Sequence, residues 1–365
     1  VGSEMCIRDR SYTTFDTSTY SVTETDDSIN VFTTVENTGD VAGKETVQVY
    51  FGAPQGELGR PAKELVAFAK TKLLEPGESQ DITLSFKKDD MKTYDDSGAT
   101  GHDSAYVMEA GDYKIYVGND VRDSELEYVY NQPELKVVEQ LSEEMAPVKE
   151  FQRMKPETDE NGNLTVGYED VPTQTVDVPA KIAENQPQEL TKKDDNHYNL
   201  VDVYNGTVTV EQFVAQLNDS ELTSIVQGEG MSPANVTPGV ASAFGGVNTK
   251  TEDGKTTTLT ELYGIPRACT SDGPSGIRQT AKATSIPGGA SIACTWNLDL
   301  IEEMMTLEGQ EMVMNNIDSL LGPGINIHRN PLNGRNFEYY SEDPLVTGRV
   351  AAAYAKGIQK SGATV

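Results

Sequence analysis

The chain has 365 residues, 36% hydrophobic and 24% charged, with 58 acidic against 29 basic side chains and a formal charge of −29. So negative a surface repels phosphate backbones and anionic lipid, which argues against nucleic acid or a membrane surface as partner. No apolar run of about 18 residues is present to span a bilayer, and the length suits about two or three domains.

In chain order, the opening VGSEMCIRDR has neither a signal-peptide core nor helical periodicity, and residues 1–10 are expected to be a non-native tail. Residues 11–130 are expected to form an all-β sandwich of about seven strands. Apolar residues recur there at period two: Ile29, Val31, Thr33 and Val35; Val47, Val49 and Phe51; Ile82, Leu84 and Phe86; Tyr113, Ile115 and Val117. Asn37-Thr-Gly39, Pro76-Gly77, Asp96-Ser-Gly98 and Ala110-Gly111 punctuate them as turns. Residues 131–204 lose this order and carry about twice as many acidic as basic side chains, so an acidic linker is expected, with short helices near Glu139.

From residue 205 to 365 the pattern becomes helix and strand in alternation. Phe213, Val214 and Leu217, then Leu222, Ile225 and Val226, suit two short amphipathic helices. A buried strand ends at Asp272-Gly-Pro, and a helix starting near Asn297 places Ile301, Met304, Met305 and Met312 at helical spacing. A second strand and its exit loop follow in Ser319–Gly322 and Ile325–Ile327. Ser341 then caps a helix with Asp343 and Pro344 in its first turn and Gly362 at its close. This is the opening of an α/β fold with parallel strands. Pattern alone does not separate a barrel from an open doubly wound sheet.

In such folds, functional groups lie at the carboxyl ends of the strands. Asp272 occupies that place after the first strand and Arg335 lies in the loop after the second, and a carboxylate with a planar guanidinium fork suits neutral polyols. Phe337, Tyr339, Tyr340 and Trp296 offer apolar faces to sugar C–H groups. Simpler readings stand beside these. Asp272 can serve as a turn aspartate, and Arg335 can pair with Glu338, Glu342 or Asp343 to fix its loop. Glu342 and Asp343 suit a helix start, the methionine stripe suits core packing, and His328 suits a structural role. Cys6, Cys269 and Cys294 fit no zinc or disulfide pattern, and His102, His197 and His328 are scattered, so neither a metal nor a cofactor is expected.

The stretch LLGPGINIHRNPLNGRNFEYYSEDPLVTGRVAAAYAKGIQ, with SDGPSGIR (Ser271 to Arg278) before it, closely resembles the barrel domain of glycoside hydrolase family 3, the β-glucosidase group. VQVYFGAPQGELGRPAKELVAFAKTKLLEPGES, Val47 to Ser79, resembles the fibronectin type III-like domain of the same family. The order found here resembles its permuted branch. The resemblance implies a fibronectin-like sandwich followed by the first part of a TIM-like α/β barrel. It implies that Asp272 and Arg335 bind hydroxyls of the non-reducing glycosyl unit, with the acidic residues after Arg335 as its support.

The resemblance places the nucleophilic aspartate and a sugar-binding Lys–His pair after Val365. The acid/base glutamate would come from a sandwich domain ahead of residue 1. The expectation is therefore a fragment of a retaining exo-acting β-glycosidase with no catalytic residue of its own, inactive alone and completed in cis by the missing domain. The glycoside stays open, since xylosidases share these loops; so do the compartment and homo-oligomerisation. A non-catalytic carbohydrate-binding or surface protein that kept the sugar loops is the competing reading.

Overall fold

The computed structural model describes residues 11–143, 146–193, 196–251 and 253–365; the expected tail lies outside them. Two compact units divide the chain, Val1–Gln186 and Pro187–Val365.

In the first unit β1 (Phe15–Glu24), β2 (Ser28–Asn37) and β5 (Ser79–Lys87) form one antiparallel sheet. The second sheet runs β4-β3-β8-β9, from β3 (Thr46–Gly52), β4 (Glu64–Lys70), β8 (Gly111–Gly118) and β9 (Glu125–Gln132). Both sheets turn the period-two faces read from the sequence into one core: Ile29, Val31 and Val35 meet Val47, Val49, Phe51, Ile82, Leu84, Phe86, Ile115 and Val117. Each such side chain, taken from water, contributes about 1.5–3 kcal/mol. Thr33 sits on the same buried face, and its hydroxyl donates to the Ile82 carbonyl at 3.4 Å.

A smaller sheet joins β6 (Thr93–Asp95), β7 (Ala105–Met108) and β10 (Lys136–Gln140). The region around Glu139 is therefore strand, not helix. Lys136-Val-Val-Glu-Gln holds two adjacent β-branched residues, and the edge of β7 offers unpaired backbone groups that β10 takes up. The acidic stretch beyond is also more ordered than expected of a linker. β11 (Gln152–Thr158) and β12 (Leu164–Asp170) form a hairpin. The Asp159 carboxylate accepts from the Asn161 and Asn163 amides at 2.9 and 2.8 Å across its turn, and Arg153 bridges Asp96 and Glu169. Asp177 then caps α1 (Val178–Glu184) by accepting from the Ala180 amide. Several acidic side chains in this stretch serve turns, caps and pairs, which mean composition cannot reveal.

The second unit begins with α2 (Leu200–Tyr204), α3 (Val210–Val214) and α4 (Asp219–Gln227). The β14–β15 hairpin (Asn248–Lys250, Thr256–Thr258) and α5 (Leu259–Tyr263) join them around Phe213, Leu217, Val247, Leu259 and Tyr263. Between these elements, β13 (Ser242–Gly245) pairs antiparallel with β16 (Arg267–Asp272). Four residues are too few for periodicity to announce β13. β16 then pairs in parallel with β17 (Ser319–Leu321), and Thr364 bridges Ser319 in the same sense. Ile325–Ile327 lies in the loop, outside the strand. Short α6 (Gly289–Ala293) and long α7 (Leu298–Met314) make the crossover from β16, and α8 (Pro344–Gln359) leads back toward Thr364.

α7 and α8 pack closely because two glycines remove side chains where they cross. A Cβ on Gly357 would lie 2.5 Å from the Glu302 carbonyl, and one on Gly309 would lie 2.7 Å from the Ile358 carbonyl. Ile301, Met305 and Met312 fill the buried side of α7, so the methionines are packing. Inside the same interface the Tyr354 hydroxyl donates to Glu308 Oε2 at 3.0 Å. Glu308 is 4% exposed, its Oε1 has no partner among the described residues, and burial pushes its carboxyl up to about 7. The cap of α8 is Asp343, which accepts from the Val346 amide at 2.9 Å; Ser341 sits two residues earlier and accepts from the Asp343 amide. With Pro344 at the first helical position, only Asp343 has the reach.

Candidate sugar-binding site

Adjacent parallel strands bring their carboxyl ends to one side, which places Asp272 and the loop after β17 (residues 322–343) on that side. Asp272 is the last residue of β16. Behind it the buried Ser271 hydroxyl accepts from the Arg278 amide at 2.8 Å and donates to the Arg278 carbonyl at 3.0 Å. The Arg278 amide also donates to the Asp272 carbonyl at 2.9 Å, so the loop from 272 to 278 is closed on itself. Gly276, at φ +109, makes that possible: a Cβ there would sit 2.2 Å from the Thr284 carbonyl.

The Asp272 side chain is 45% exposed, and its Oδ2 receives Arg278 Nη1 at 3.2 Å. Sequence reasoning assigns this second guanidinium no role, although a signal for it is present: an arginine six residues on in the same short loop.

Arg335 is held in a turn built by asparagines. The Asn330 carboxamide oxygen accepts from the Leu332 amide at 2.9 Å, and that of Asn333 accepts from the Arg335 amide at 3.2 Å. Of the acidic side chains that follow, Glu338 is the one that engages the guanidinium, through Nε to Oε1. Asp343 is committed to the α8 cap and Glu342 is exposed. Glu338 is buried while the Arg335 side chain is 67% exposed, with its guanidinium over the Tyr339 ring, 5.7 Å from the centroid. The Glu338 bond and charge, then Tyr339, and then the charge of Asp272 raise the Arg335 pKa. Asp272 and Arg335 therefore lie within each other's field.

The aromatics divide. Phe337 is exposed and Trp296 half-buried, each with surface to present, whereas Tyr340 is buried and feels the charge of Glu308 beneath the loop. Tyr340 is therefore no platform for a ligand, and its burial beside an apolar helix pair is the reason. Tyr339, 9% exposed, underlies Arg335. The His328 amide donates to the Ser341 carbonyl at 3.0 Å, tying the two ends of the loop, while Nε2 is buried without a partner among the described residues. Among the described residues no cluster of three metal-ligating side chains occurs, and no helix is long and apolar enough to cross a membrane.

Comparison with known proteins sets this architecture in a class. Residues 45–121 match the fibronectin type III-like domain and residues 209–365 the glycosyl hydrolase family 3 N terminal domain, so the chain is multidomain. It is 46% identical to a β-glucosidase of Ruminococcus albus over 96% of its length, and 38% identical to β-glucosidase A of Butyrivibrio fibrisolvens over 92%. A solved β-glucosidase from Paenibacillus barengoltzii superimposes with a TM-score of 0.89 at 48% identity over 97% of this chain. The chain belongs to glycoside hydrolase family 3. It spans 36%, 41% and 38% of the length of those three relatives.

Proposed function

We propose that this chain supplies the fibronectin-like domain and the first strands of a (β/α) barrel to a retaining, exo-acting β-glycosidase of β-glucosidase type, acting on oligosaccharides. Asp272 and Arg335 hold the hydroxyls of the terminal sugar. The observation that carries this reading is their placement: a half-exposed carboxylate at the end of one parallel strand and an exposed guanidinium in the loop that follows its neighbour. Names of the similar proteins and the order of the two family domains support it. The succession β16, α7, β17, α8 and the parallel bridge at Thr364 supports the barrel.

Retaining hydrolysis takes two carboxylates about 5–5.5 Å apart, one a nucleophile and one an acid/base. Here Asp272 is assigned to binding and Glu338 is tied to Arg335, so the 365-residue chain alone is expected to bind sugar without cleaving it. Calorimetric titration with D-glucose and D-xylose, beside an assay on an aryl β-glucoside, tests both halves. A hydrogen bond to a charged group contributes about 1.5–3 kcal/mol. Asp272→Asn and Arg335→Ala should therefore each weaken glucose binding by about 10- to 100-fold. Turnover by the chain alone, or wild-type affinity in both variants, would overturn the assignment.

A further inference from the structure

Met304, Leu307, Glu308, Glu311 and Met314 recur at helical spacing along one face of α7 and line a cavity of about 540 Å³. Thr284-Ser-Ile-Pro287 lines it as well. That segment is pinned, since the Thr284 amide donates to Glu311 Oε1 at 3.0 Å and the Ile286 amide to the Ser275 carbonyl at 3.1 Å. A volume of this order and walls largely of hydrocarbon with a few polar groups suit a small organic ligand.

Glu308 is the buried member of the lining. Tyr354 donates to its Oε2, while Oε1 has no partner among the described residues. The groups about the carboxyl are Tyr354 of α8, Tyr340 of the loop after β17, and Glu311 one turn on; none is basic. A buried acid with one oxygen unpaired weakens the fold, and an apolar side chain of similar volume would fill the space without that cost. Burial holds the carboxyl at about 7, so an opposite charge brought beside it would ionise it near neutral pH. Glu311 lines the same cavity and the chain carries −29, so the charge that complements this place is positive and comes with the ligand.

We propose that this cavity binds a small apolar primary amine as its ammonium ion, with Glu308 as the buried counter-charge. The ammonium donates to Oε1, and its hydrocarbon body lies against Ile286, Pro287, Met304 and Leu307. On binding below pH 7 the Glu308 carboxyl gives its proton to solvent, and the ammonium keeps its own three. No lining residue belongs to the Ser271–Arg278 turn or to residues 322–343, so the inference does not rest on the sugar-binding reading.

The experiment uses the 365-residue chain with benzylamine as probe and benzyl alcohol as its neutral counterpart. Calorimetry reads affinity from pH 5 to 8 at fixed ionic strength, and NMR of the methionine methyl groups reads the place of binding. Benzylamine affinity should rise about tenfold per pH unit and level off above about 7, as the carboxyl loses its proton. Benzyl alcohol should show no such rise and bind about tenfold or more weakly at pH 8. The Met304 and Met314 methyl signals should shift with the amine. Glu308→Gln should bind benzylamine about tenfold or more weakly and without pH dependence. Leu307→Lys, at a position 62% exposed, sets a competing ammonium in the cavity wall and should weaken benzylamine too.

Equal affinity for the amine and the alcohol at pH 8 would overturn the inference, as would no saturable binding of benzylamine. Wild-type affinity in both variants would place the amine on the acidic surface elsewhere, an adventitious additive only, and would overturn it also. Competition by saturating D-glucose would move the amine to the sugar loops and strike this cavity while leaving their reading in place.

Discussion

The two units solve burial in different ways. The sandwich is filled by alternate apolar side chains from two sheets, with Thr33 as a polar member on the same face. The α/β unit places ionisable groups inside: Glu308 against Tyr354, Glu221 against Tyr263, and Glu338 under its arginine. A sheet core filled at period two tolerates little besides hydrocarbon, and the first unit keeps its buried Asp95 and Arg60 off those faces, at a strand end and in a loop. Helices and loops that must project chemistry from strand ends bring polar atoms along, and each is then satisfied by one specific partner. Stability of the sandwich core should therefore respond to volume, and that of the α7–α8 interface to pH and to single contacts.

Three substitutions sharpen or break that contrast. Phe86 is 5% exposed in the sandwich core, and Phe86→Ala should cost about 3–5 kcal/mol. Hydrogen exchange in β2 and β5 should quicken while α7 and α8 keep their protection; equal loss in both units would break the contrast.

Next is Glu308. Burial raises its carboxyl to about 7 from the ordinary 4.5, so the folded state holds a proton that the unfolded chain releases. The stability this gives is full below pH 4.5 and is lost as pH rises toward 7. Each tenfold difference in proton affinity between the folded and unfolded chain corresponds to about 1.4 kcal/mol. Glu308→Gln should remove the pH dependence and be more stable than wild type by up to about 3 kcal/mol at pH 8. Parallel denaturant curves for the two proteins from pH 4 to 8 would argue against a buried carboxylic acid here.

The smallest effect is expected of Gly357→Ala. Its new methyl meets the Glu302 carbonyl at 2.5 Å, and helices forced apart cost about 1–3 kcal/mol. Thermal melts that leave Gly357→Ala at the wild-type midpoint would mean that the crossing has room for a methyl group.

Much of the molecule could be read from sequence because some signals are local and repeated. Four apolar faces of the sandwich, the α7 stripe, the position of Asp272 at a strand end and that of Arg335 in the loop after the next strand all follow from period and order. What escaped reading depended on partners far along the chain. β10 is strand because β7 has an open edge, and nothing in residues 136–140 says where that edge lies. The same holds for Arg153, whose partners lie at 96 and 169. Tyr340 has the company of a ligand platform in its loop, but it is buried, within reach of the charge of Glu308 on α7. Arg335 has three candidate acids in sequence. Geometry selects Glu338, since Asp343 is committed to the helix cap. For a motif dense in charges, composition names the participants and only the fold assigns the pairs.

The parallel register of β16 and β17 has a further consequence. Asp272 ends one strand and Arg335 stands in the loop after its neighbour, and each segment is closed by its own hydrogen bonds. The hydrogen bonds of the Ser271–Arg278 clasp that sets Asp272 come from within that turn and not from residues 322–343. Change in the later loop can leave the earlier turn as a fixed point of reference, so a chain of this design can diversify in one segment without first unfolding the other.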